Sequence, residues 1–382
     1  MRDILRMTPG PTYVTERVRR AMAMPILNPD MEEEFFERYK RTQMLLQKIY
    51  HTKEDILILS GEGILGLEAA CASLIEPGDK VLCIDNGIFG HGFIDFAKMH
   101  GGSVTVFESA YDEPVDTDQL KIFLENNHDF KLATLVHCET PAGLVNPVDS
   151  ICPLLNAYGI LSVVDSVSSL AGEPLFMDEW KMDIVLGASQ KCISAPPGLT
   201  LVGISQGARR AMGQRRTPVG SYYLNLSIFD GWYEKKWFPY SQPVSDIFAL
   251  EEALNVILEE NDSIQRHAKI AFSVREAVRR SGLQFYAKSG YSATVTTIFL
   301  PEGVSFSALK EEMLGTHDVL IGGAFDYLGN QVFRIGHMGE NAREEKLYRT
   351  LKALHLSLAA LGVNLEEPIH LAFARAMDKY RS

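Results

Sequence analysis

Seven short runs of aliphatic and β-branched residues recur up to position 204: "DILILS" (55–60), "KVLCID" (80–85), "SVTVF" (103–107), "LATLVH" (132–137), "ILSVVD" (160–165), "DIVLGA" (183–188) and "LTLVGI" (199–204). Several are continuously apolar rather than alternating, the pattern of strands covered on both faces in a mainly parallel sheet. Helix-compatible segments at about 63–75, 90–100 and 147–158 fall between them, as parallel crossovers require. Only "SQKCISAPPG" separates the last two runs, too little for a helix, so one strand is expected to run antiparallel. The fold class is therefore α/β, a seven-stranded mainly parallel sheet with helices on both faces.

After residue 205 the pattern changes. An aromatic-rich irregular segment (221–245) leads to one long helical pattern (247–281), then strand-like "ATVTTIFL" (293–300), a helix near 305–314, "DVLIGG" (318–323), "QVFRIG" (331–336) and a helix over about 342–361. This predicts a smaller α+β domain. The division is placed near 255, with residues 1–255 forming a large cofactor-binding domain that includes an N-terminal arm, and 256–382 the small one. Hydrophobic residues make up 46% and charged residues 23%, and no apolar run nears the ~20 residues of a membrane span. A net charge of −12 argues against a nucleic-acid surface and for a small-molecule partner. The five cysteines are scattered without a CxxC pair, so neither a disulfide framework nor a metal site is expected. "MRDILRMTPGP" lacks the apolar region of a secretory signal, which makes the cytoplasm the expected compartment.

Between the first strand and its helix lies Gly61-Glu62-Gly63-Ile64-Leu65-Gly66, a GxGxxG spacing, and Asp85 follows about 20 positions on, as in a dinucleotide-binding fold. Glu62 speaks against a nicotinamide dehydrogenase, because a carboxylate does not suit a phosphate cradle. Strand ends are more informative, since open α/β sheets bind ligands at the carboxyl edge. Asp165 ends "ILSVVD", and Lys191 follows "DIVLGA" among small and turn-forming neighbours, where a lysine can lie desolvated and act as a nucleophile.

"VVDSVSSLAGEPL" followed by "DIVLGASQKCISAPPGL" resembles the class V aminotransferases of the fold-type I pyridoxal phosphate family, and the resemblance runs from "TPGPT" (8–12) to "FRIGHMG" (333–339). It implies a pyridoxal Schiff-base transaminase in which Lys191 bonds the cofactor carbon and moves the proton. Asp165 would pair with the ring nitrogen and keep it protonated. Val167 would cover one ring face and Phe89 the other, and Thr140 would hydrogen-bond near the phenolic oxygen. Gln190 is retained beside the lysine. Arg334 would hold the substrate α-carboxylate through its planar fork. The resemblance also implies a homodimer, with "FPYSQPV" reaching the neighbouring cofactor.

The family's phosphate loop places a serine where this chain has Glu62, followed by Gly63 and Ile64. A carboxylate and a phosphate at one helix N-terminus repel; the carboxylate can take the N–H groups itself or accept a bond from a neutral hydroxymethyl group. Aligned on Pro243-Val244, the partner's tyrosine and threonine read Phe238 and Ser241, so the tyrosine hydroxyl is gone. These departures resemble the pyridoxamine-pyruvate transaminase branch, for which unphosphorylated pyridoxamine is a substrate. "IGGAFDYLGNQVF" lacks the second arginine of that branch. The expected function is amino transfer from pyridoxamine to pyruvate, giving pyridoxal and alanine. The alternatives are a conventional pyridoxal phosphate enzyme acting between alanine or serine and glyoxylate or pyruvate, the dehydrogenase, and a non-catalytic binding protein on the same fold.

Overall fold

The computed structural model describes residues 3–381. Its strands are β1 (Leu5–Met7), β2 (Ile56–Ser60), β3 (Lys80–Asp85), β4 (Ser103–Glu108), β5 (Leu132–Val136), β6 (Cys138–Glu139), β7 (Leu144–Val145), β8 (Leu161–Asp165), β9 (Ile184–Ala188), β10 (Leu199–Ile204), β11 (Val295–Phe299), β12 (Val319–Gly323) and β13 (Val332–Gly336). The first four helices are α1 (Glu16–Met22), α2 (Glu33–Tyr50), α3 (Gly63–Leu74) and α4 (Ile88–Met99).

All seven strands read from the sequence form one sheet, in the order β2-β10-β9-β8-β5-β3-β4. Strands β5, β9 and β10 are buried along their whole length, which is why their sequences do not alternate. Strand β10 is antiparallel to both β2 and β9, and the other neighbours are parallel. The reversed strand brings Gly198 to the edge where β2 ends, and Gly61 donates its N–H to the Gly198 carbonyl at 2.8 Å.

A second sheet, β1-β12-β13-β11, has its own apolar core against the helices Ser263–Arg280 and Glu344–Ala360. Here the chain departs from expectation in two ways. The N-terminal segment is not simply an arm of the large unit: Leu5–Met7 pairs in parallel with Val319–Ile321 and so belongs to the smaller sheet. The long helical pattern is two helices, Val244–Glu260 and Ser263–Arg280, and position 255 lies inside the first. The break is local: Asn261 takes the left-handed conformation (φ 53°), one that asparagine tolerates and that ends helices.

Candidate active site

The carboxyl edge of the large sheet gathers most of the residues singled out from sequence. Asp165, at the last position of β8, is 6% exposed and accepts the Val167 N–H at 2.8 Å. Burial pushes its pKa up to about 6, against the opposing pull of that N–H and the Lys191 charge. Lys191 follows β9 in a turn that Ser189 closes by donating its hydroxyl to the Pro196 carbonyl at 2.6 Å. Its Nζ donates to the Pro9 carbonyl at 2.6 Å. Burial and, after it, the Arg334 charge lower the lysine pKa, so neutral amine is more available than on a surface lysine.

Loop "SGEGILG" sits against this pair. A Cβ on Gly63 would come within 2.9 Å of Val167 and 3.6 Å of Ala188, and one on Gly66 would overlap Thr200. The motif glycines therefore let α3 press onto β9, β10 and the turn that follows β8. Gly61, at φ 146°, makes the turn itself. Glu62 is the N-cap of α3, and its carboxylate accepts the Ile64 N–H at 3.3 Å.

Thr140, in the β6–β7 hairpin, is buried and donates its hydroxyl to Ser168 at 2.6 Å. Gln190 is buried, and its side-chain oxygen has no hydrogen-bond partner among the described residues. Phe89 opens α4 and meets Phe325 edge-on at 6.2 Å between centroids. Arg334, on β13, is 9% exposed and donates Nε to the Gly323 carbonyl at 2.7 Å, which fixes the plane of the guanidinium. Burial lowers its pKa to about 10 and the Glu139 charge opposes the shift, leaving the group a cation at neutral pH.

Phe238 is packed into the aromatic core of its own chain. It is 3% exposed and stacks between Trp232 (5.0 Å, 15°) and Phe36 (5.2 Å, 4°), because in this aromatic-rich segment a ring without a hydroxyl gains more from the core than from a polar site. Ser241 is exposed on the surface of its own chain, beside Met22, Ile26 and Leu27. The dinucleotide reading fails on topology. Asp85 ends β3, with four strands between it and β2 with its glycine loop, and its carboxylate meets His91 Nδ1 at 2.8 Å. Among the described residues no group of three or more His, Cys, Asp or Glu side chains is arranged to hold a metal, and no helix is long and apolar enough to cross a membrane. All five cysteines are free and buried.

Sequence reasoning missed four contributors. Pro9 and Gly10 seat the lysine, since a Cβ on Gly10 would lie 2.7 Å from Lys191 Cδ; "TPGPT" carried that signal. Glu139 and Phe325 carried none, because only the fold brings them to Phe89 and Arg334.

The donor set fits a pyridoxal group at its ring. A buried carboxylate ends one strand, a desolvated amine follows the next, and Val167 supplies an apolar wall beside them. At the α3 terminus, where a phosphate would be bound, the chain places its own anion.

Residues 27–317 match the model of the family described as aminotransferase class-V. The chain is 33% identical over 369 residues to the pyridoxamine–pyruvate transaminase of Mesorhizobium japonicum, covering 95% of this chain and 93% of that one. It is 31% identical over 385 residues to the L-aspartate–glyoxylate aminotransferase of Paracoccus denitrificans, covering 98% and 95%. The crystal structure of the pyridoxamine-pyruvate aminotransferase from Mesorhizobium loti superposes with a TM-score of 0.94 at 31% identity, over 98% of this chain and 97% of that one. With that sheet, that strand-end lysine and these relatives, the chain belongs to the class V aminotransferases of fold-type I, a family of pyridoxal phosphate enzymes.

Proposed function

We propose that this aminotransferase takes unphosphorylated pyridoxamine as its amino donor and pyruvate as its acceptor, giving pyridoxal and alanine. The observation that carries this reading is Glu62: its carboxylate caps α3 and accepts the Ile64 N–H, using a donor that a phosphate would need. A neutral hydroxymethyl group in that position donates to the carboxylate instead of repelling it. The exchange balances without a further reagent, since the amine carbon is oxidised to an aldehyde as the keto carbon is reduced to an amine.

The pyridine ring, when bound, supplies an electron sink for a carbanion at the reacting carbon. Asp165 holds a proton on the ring nitrogen, and its burial strengthens that pairing. Lys191, desolvated, would serve as the amine nucleophile toward the reacting carbonyl carbon, its oxygen leaving as water, and would carry a proton from one side of the transfer to the other. Val167 and Phe89 restrain the ring between them, Thr140 and Gln190 contribute polar contacts at its edge, and Arg334 holds the pyruvate or alanine carboxylate in its fork.

The conventional reading, pyridoxal phosphate with alanine or serine as donor, draws support from a different feature: Glu62 is exposed and its bond to Ile64 is long at 3.3 Å, so the side chain is free to turn aside. A spectrum and a steady-state assay of the purified protein separate the two. The expected result is protein without tightly held, borohydride-reducible pyridoxal phosphate that turns over pyridoxamine with pyruvate. Yellow protein that keeps its cofactor through dialysis and leaves pyridoxamine untouched overturns the proposal.

A further inference from the structure

The first turn of α4 is held by a carboxylate that the roles above leave idle. Gly87, the N-cap of α4, has no side chain to cap the helix. Glu139 does it from another element: its Oε1 accepts the Phe89 N–H at 3.0 Å and its Oε2 accepts the Gly90 N–H at 3.2 Å. The residue is fully buried, and a Cβ at Gly87 would overlap its Cγ and Cδ, so the fit is close. Its hairpin is braced from both sheets. Thr140 reaches Ser168 beyond β8, and the Thr297 hydroxyl on β11 donates to the Pro141 carbonyl at 3.1 Å, at the register position opposite Arg334.

We propose that Glu139 is a positioning residue for Phe89: by engaging both N–H groups of the first turn of α4 from a hairpin tied to both sheets, it sets where the Phe89 ring stands over the pyridoxal-binding site. The inference rests on the reading that Phe89 covers the ring. A helix cap with no other role would affect stability alone. A positioning residue must act through Phe89, and a double-mutant cycle shows whether it does.

The experiment titrates apoprotein with pyridoxal, with and without its 5′-phosphate, and follows absorbance, alongside thermal melting. Glu139→Gln keeps one acceptor and is expected to weaken binding about tenfold, the scale of one buried hydrogen bond. Phe89→Ala is expected to weaken binding too, and the double variant to bind no worse than Phe89→Ala alone. Gly87→Ala retains the carboxylate but drives it off the two N–H groups, so it reproduces the loss should Glu139→Gln fold poorly. Losses that add in the double variant, or a Glu139→Gln protein that melts earlier yet binds pyridoxal normally, overturn the role. An unchanged affinity in Phe89→Ala overturns instead the reading of Phe89 on which the role depends.

Discussion

Asp165 illustrates how a single side chain is kept at a cost to the protein around it. A carboxyl with a folded-state pKa near 6 against about 3.9 unfolded binds more protons when folded, so its ionisation opposes folding across and above that window. The penalty is fully present above the folded value and absent below the unfolded one. Asp165→Asn keeps an oxygen for the Val167 N–H and removes the charge. The apoprotein is therefore expected to gain stability, at most about 3 kcal/mol at pH 8 and nothing by about pH 4, as read from thermal melting at the two pH values. Transamination by the same variant is expected to fall about 10²- to 10³-fold, since the ring nitrogen loses its anion. A more stable and inactive protein places the residue in function rather than in the fold. Asp165 and Lys191 stood out because each is a charged residue at or next to a strand that is otherwise apolar, and buried charges need a reason, whereas Arg334 was named through the family resemblance alone. Glu139 was not: "HCETPAG" reads as a turn, and its two N–H donors lie about 50 positions away in sequence.

Among the elements, α3 carries the question of substrate. Glutamate is a poor N-cap and serine a good one, so Glu62→Ser is expected to leave thermal stability within about 1 kcal/mol. It also removes an anion that would face a phosphate at contact distance, an interaction of about 4 kcal/mol at an effective dielectric of 20 before screening. The variant is expected to bind pyridoxal 5′-phosphate at least about tenfold more tightly than the parent while losing preference for pyridoxamine, as measured by absorbance titration and by kcat/KM for both donors. An unchanged affinity favours the conventional enzyme. The strands of the large sheet were legible one by one, the antiparallel β10 included, because burial on both faces leaves a continuous apolar run and a ten-residue gap excludes a crossover helix. Strand β1 and the β6–β7 hairpin were not, for their two or three residues carry no periodicity and are defined by partners far along the chain. The break at Asn261 falls in "ENDS", inside the stretch whose pattern reads as one long helix over 247–281.

At the scale of the molecule, one stretch of surface exposes several large apolar side chains although the chain carries a net charge of −12. Ile26 is 73% exposed and Met31 82%, and around them lie Met22, Met24 and, on the other side of the same groove, Ser241 and Pro243. The segment that continues from the groove exposes Trp237, Tyr222 and Tyr223, and Ile64 stands exposed on the cofactor loop itself. Side chains of this size cost about 1.5 to 3 kcal/mol each when left in water rather than buried, and several together mark an interface. A second copy of the chain is the expected occupant, because a symmetric pair covers the same patch on both partners. The protein is then expected to sediment at twice the 42.6 kDa chain mass. Ile26→Asp places a charge in the middle of the patch and is expected to shift the population toward monomer. Ile26 is remote in sequence from the lysine turn, so its effect on catalysis reports whether the site is shared. Transaminase activity that falls in step with the dimer fraction, and returns at high protein concentration, means that the second copy completes the site. Full activity in a monomeric Ile26→Asp protein means that one chain suffices, and a parent protein that sediments as a single chain removes the interface altogether.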